Sequence, residues 1–110
     1  MSEFYYAKKD LADFPNIGEF APDEGKAFFD YYGKATSEGK LDLKTKALIA
    51  LTVATTQNCP YCIDATTNKC LSLGITKEEM MEALHVGAVF MAGATLAHTT
   101  QMRKIIKEKE

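Results

Sequence analysis

Residues 41–65 read LDLKTKALIALTVATTQNCPYCIDA, and how this run divides decides the fold. Asp42 stands ahead of an apolar stretch, where a short side-chain oxygen can close a helix N-terminus. The stretch that follows, KALIALTVAT, is apolar nearly all round, a pattern that suits a buried strand or a buried helix. Alanine and leucine favour the helix, as do the flanking Lys-Thr-Lys and the length. The spacing therefore predicts a helix over 43–57. Asn58 or Cys59 then caps a second helix, with Pro60 in its first turn, where the missing N–H is not needed. Gly74 lies just past the end of that helix. Cys59 and Cys62 fall at the joint between the two.

On the N-terminal side, Pro22 followed by Asp23 and Glu24 suits a helix start, since acids there meet the positive end of the dipole. That helix should run from about 22 to 37 and stop near Gly39. Nine of the eleven aromatics fall within the first 32 residues: Phe4, Tyr5, Tyr6, Phe14, Phe20, Phe28, Phe29, Tyr31 and Tyr32. So many large apolar side chains argue for an ordered arm over 1–20, packed on its own domain or on a neighbouring subunit. On the C-terminal side, Thr76 to Glu79 reads T-K-E-E, a capping box opening a helix that continues to about 107, with a break expected near Gly93. The chain reads as all-α. One compact helical domain spans 1–110, with the arm at 1–20, a helical core at 22–107 and a CxxC at the N-terminus of a core helix. Gly87, Ala88, Ala92, Gly93, Ala94 and Ala97 admit close helix approach, within the chain or at a subunit interface.

Composition narrows the function classes. At 110 residues and 46% hydrophobic content the chain suits one core, and a formal net charge of −2 with scattered basic residues points to neither nucleic acid nor a membrane surface. No basic-then-apolar leader opens the sequence, and no apolar run approaches the roughly 20 residues that span a bilayer. The expected setting is cytoplasmic. There, three clustered cysteines argue for redox chemistry or a metal rather than a structural disulfide framework.

With the helix beginning at Cys59 or Pro60, Cys62 lies in its first turn, where free backbone N–H groups and the dipole favour a thiolate. Cys59 is close enough to form a disulfide with it, so one thiol can attack an oxidant while the other resolves the product. A structural zinc site wants four ligands, and Cys70, His85 and His98 lack the spacing for one, so no metal or other cofactor is expected. Cys70, eight residues along the helix, should lie about 12 Å from Cys62, beyond the roughly 7 Å limit for a disulfide. It reads as a core thiol. His85, in the apolar EALHVGAVF, could face a site across a helix pair or sit in the core with one nitrogen satisfied. His98 reads as structural or interfacial, and Asp64 as a solvated acid early in its helix.

The run 41–65, together with EALHVGAVFMAGATLAH at 82–98, resembles the alkylhydroperoxidase D-like, or carboxymuconolactone decarboxylase-like, family over about residues 40–105. CPYCIDA, Cys70 and GATLAHTTQM are most similar to the peroxidase-like proteins associated with arsenosugar biosynthesis. The resemblance implies an all-helical fold, homo-oligomers that are trimers or hexamers, and reduction of a small-molecule hydroperoxide at the expense of a thiol or protein reductant. Carried over by position, Cys62 is the peroxidatic thiol and Cys59 its resolving partner. The best-known peroxidases of the family place a glutamate twelve residues before the first cysteine and a histidine four after the second; here those positions are Ala47 and Thr66. Thr66 can donate a hydrogen bond to a thiolate but cannot act as a base near neutral pH. His85 is left as a possible support. Two alternatives stand beside the peroxidase: a thiol–disulfide exchange protein, and non-catalytic capture of a soft metal or trivalent arsenical by Cys59, Cys62 and Cys70.

Overall fold

The computed structural model describes residues 7–110. Phe4, Tyr5 and Tyr6 lie outside the described residues. Among the described residues six α-helices follow one another: α1 Lys8–Leu11, α2 Pro22–Thr36, α3 Leu43–Thr56, α4 Pro60–Ser72, α5 Lys77–Ala97 and α6 Thr99–Lys109. A short 3-10 turn, Phe14–Asn16, links α1 to α2, and no strand occurs among the described residues. The protein is all-helical.

The caps place the helices. Asp42 accepts the Thr45 N–H at 2.8 Å to start α3. Thr76 and Glu79 close a full capping box on α5: the Glu79 N–H donates to Thr76 Oγ1 at 3.1 Å, and the Thr76 N–H to Glu79 Oε1 at 2.8 Å. Between α4 and α5, the Gly74 N–H donates to the Leu71 carbonyl and the Ile75 N–H to that of Cys70. Gly74 has φ +77°, the left-handed conformation that this C-terminal cap needs and that glycine adopts without steric cost. The cap also turns Ile75 inward, where it is buried.

The core is formed by three helices. Ala47 and Leu51 of α3 pack against Cys70 of α4, Ile75 of the α4–α5 turn and Met80 of α5, with Leu48, Leu73 and Leu84 around them. Packed against both α4 and α5, α3 buries Ala47, Leu51 and Ala54, while Ile49 and Val53 on its remaining side stay half exposed. Gly87 permits the α3–α5 contact, since a Cβ there would come within 2.5 Å of Thr52 Cγ2. Gly93 does not share this role, since an added Cβ there would meet nothing within 4 Å. Outside the core, Phe14 meets Phe28 and Phe29 edge-on at 6.1 and 5.4 Å between ring centres, joining the 7–20 segment to α2.

One expectation is corrected. The long C-terminal helix breaks at His98, not near Gly93. Gly93 costs helix propensity but leaves the hydrogen-bond ladder intact, whereas Thr99 and Thr100 donate their hydroxyls back to the Leu96 and Ala97 carbonyls, which bends a helix. Residues Lys77–Lys109, taken as one helix, are long and apolar enough to cross a membrane by length and composition. An expectation based on uninterrupted apolar runs passes over this segment because scattered polar residues interrupt it.

Candidate functional site

The turn between α3 and α4 carries the two clustered cysteines, and both helix ends shape it. At the end of α3 the Asn58 N–H donates to the Thr55 carbonyl and the Cys59 N–H to that of Ala54. This paired closure needs a left-handed residue, and Asn58 supplies it at φ +55°. Cys59 is thus fixed by α3 and is at the same time the N-cap of α4, its Sγ accepting the Cys62 N–H at 3.3 Å. Pro60 occupies the first turn of α4. Cys59 and Cys62 are joined as a disulfide with their Cα atoms 5.2 Å apart. Cys59 is half-buried and Cys62 exposed.

The surroundings of the pair differ from the sequence reading in three places. Thr66 lies one turn beyond Cys62, but its hydroxyl donates to the Cys62 carbonyl at 2.6 Å and not to the sulfur. Asp64 is not a solvated acid: only 10% of its side chain is exposed, and it accepts from Lys8 Nζ at 3.2 Å and from Asn68 Nδ2 at 2.7 Å. That ion pair joins the arm to α4 two residues past Cys62, across a sequence separation no local pattern could reveal. His85 is exposed on α5, beside a groove it lines with Thr55 and Thr56 near the end of α3, and so is not a core histidine. His98 is also exposed, with Nδ1 3.4 Å from Gln101 Oε1.

Cys70 is apart from the pair. It is fully buried, its Sγ donates to the Ala47 carbonyl at 3.6 Å, and burial pushes its thiol pKa up. A thiol held protonated in a core is a poor nucleophile. Nor do the three cysteines converge: among the described residues no three of His, Cys, Asp and Glu come together to hold a metal ion. What does converge is the pair of relay positions. Ala47 of α3 and Thr66 of α4 line the same cavity, with α2 forming its third wall. Neither side chain can relay a proton from a thiol near neutral pH.

Residues 22–102 match the model of the carboxymuconolactone decarboxylase family. A Paracoccus denitrificans protein described as uncharacterized protein 4 in the cox locus is 39% identical over 72 residues, 66% of this chain and 65% of that protein. The match therefore spans less than two thirds of that relative's own length. The crystal structure of the Thermotoga maritima protein TM1620 superimposes with a TM-score of 0.60 at 28% identity, covering 86% of this chain and 96% of the other.

Proposed function

The chain belongs to the carboxymuconolactone decarboxylase family, which contains decarboxylases and peroxidase-like enzymes, and from that premise we propose a thiol-dependent, peroxidase-like oxidoreductase working through Cys59 and Cys62. The observation that carries this reading is the Cys59–Cys62 disulfide at the N-terminus of α4. In the reduced protein the exposed Cys62 thiolate attacks the terminal peroxide oxygen. The S–O bond forms, the O–O bond breaks, and the alkoxide leaves and takes a proton to become the alcohol. Cys59 then attacks the Cys62 sulfur; the S–S bond forms and hydroxide leaves as water. The Cys62 N–H directed at Cys59 Sγ supports the resolving thiolate for that second step. An external thiol or protein reductant returns two electrons and two protons, which suits a cytoplasmic setting.

Hydroperoxide consumption with a dithiol reductant tests the assignment. The wild type turns over and Cys62→Ser does not; pre-reduced Cys59→Ser, assayed after the dithiol is removed, consumes about one equivalent and leaves a trappable sulfenic acid. Equal rates in the wild type and Cys62→Ser would sink the reading. A thiol–disulfide exchange protein is the second reading. It is favoured by the exposure of Cys62 and by the absence of a base at Ala47 and Thr66, since exchange with a protein disulfide needs no relay tuned to peroxide. Rapid exchange with protein disulfides and negligible peroxide turnover select it.

A further inference from the structure

We infer that the cavity between α2, α3 and α4 is a binding site for a small organic monocarboxylate with a short apolar body. The cavity has a volume of about 260 Å³. At roughly 30 Å³ per water-sized group, that is room for about eight or nine non-hydrogen atoms. Its walls are largely apolar and built from small side chains, with Leu43, Ala47 and Ala50 of α3 facing Ala65 and Thr66 of α4. The two positions that the peroxidases of the family fill with glutamate and histidine hold alanine and threonine here, and the shorter side chains leave the space open. An apolar enclosure of this size takes a chain or ring of five or six carbons.

The charge around it is of one sign. Lys46 and Lys69 both line the cavity, and no aspartate or glutamate does. Lys46 Nζ donates to the Ala35 and Ser37 carbonyls at 3.0 and 2.5 Å, so it is anchored against the end of α2 without a carboxylate to neutralise it. Lys69 has no ion-pair partner among the described residues, whose two ion pairs are Lys8–Asp64 and Lys26–Asp30. An apolar wall, an anchored ammonium and a second, exposed ammonium select an amphipathic anion: the body displaces water from the wall, and the carboxylate accepts charge-assisted hydrogen bonds. The site draws nothing from the cysteines. It stands or falls independently of the thiol chemistry proposed above.

Titration of the full-length oxidised protein with hexanoate and benzoate, followed by amide NMR shifts at low salt, tests this, with hexanamide and benzamide as neutral controls. The carboxylates should perturb residues 43–50 and 65–69 and bind about tenfold more tightly than the amides. Lys69→Met should reduce that preference severalfold, leaving the part that Lys46 supplies. Lys69 also suits the negative end of the α4 dipole, so the readout is ligand preference and not stability. Ala65 is exposed, so Ala65→Phe should block the cavity with the helical circular dichroism unchanged and abolish both classes of binding. The Cys59→Ser/Cys62→Ser double variant should bind as the wild type does, whatever its peroxide turnover. No shifts at about 20 mM carboxylate, shifts confined to other regions, equal affinity for acid and amide, or an unchanged preference in Lys69→Met would each overturn the proposal.

Discussion

Asn58 and Cys70 show what a single residue contributes to the candidate site. Asn58 takes the left-handed turn that ends α3, and through that closure Cys59 is fixed at the start of α4. Cys70 does the opposite work, filling the core with a thiol kept neutral by burial. Its raised pKa has a signed consequence. The unfolded thiol loses its proton before the folded one does, so the stability contributed is complete below the ordinary thiol range and declines as pH rises through and above it. Cys70→Ala should cost about 1–2 kcal/mol through the lost packing and leave a flatter alkaline limb in the denaturation midpoint. Alkylation of the reduced native protein should label Cys59 and Cys62 but reach Cys70 only on unfolding. Rapid labelling of Cys70 in the native state contradicts this. The separation of Cys70 from the pair was legible from helical rise alone. The pairing of Asp64 with Lys8 was not, because it depends on how the arm returns to α4.

At the scale of the elements, the caps were the legible part. Asp42, Gly74 and the Thr76–Glu79 box satisfy orphan backbone groups and Pro60 removes one, all in a way local sequence announces, and α3, α4 and α5 begin where those residues stand. The break in the last helix was not read correctly, since a glycine only lowers helix propensity whereas adjacent threonines compete for carbonyls. The roles of the small residues along α5 were also not separable by type. Gly87 lies against Thr52, a β-branched residue with little χ1 freedom in a helix, while Gly93 faces open space within the chain. Substitution should therefore have opposite signs at the two positions. Gly87→Ala should destabilise by about 1–3 kcal/mol, because α3 and α5 must part or Thr52 must leave its rotamer. Gly93→Ala should stabilise the protomer by up to about 1 kcal/mol through helix propensity. Denaturant midpoints with unchanged slopes provide the measurement, and the same sign at both sites contradicts the packing described.

The whole molecule has a form that its own core does not explain. Its radius of gyration is 18.7 Å, against about 13 Å for an ordinary domain of this length. The excess follows from a three-helix core beyond which α6, packed on the end of α5, extends. Val86, Val89, Phe90 and Leu96 of α5 and Ile105 and Ile106 of α6 are all at least half exposed, the highest of them Phe90 at 75%. An apolar surface on this scale in one protomer calls for a cover. The same apolar face on a second copy would match it in chemistry, whereas a bilayer would have to accommodate the charged residues of α6. We therefore predict a homo-oligomer built through α5 and α6, a trimer or a hexamer as the family resemblance implies. Light scattering on protein purified without detergent should give three or six times the 12.2 kDa of the chain. Phe90→Glu should dissociate it with helical content retained, because the ring is not part of the protomer's core. A monodisperse wild-type monomer at micromolar concentration would reject the assembly, and a requirement for detergent throughout would favour the bilayer as the cover.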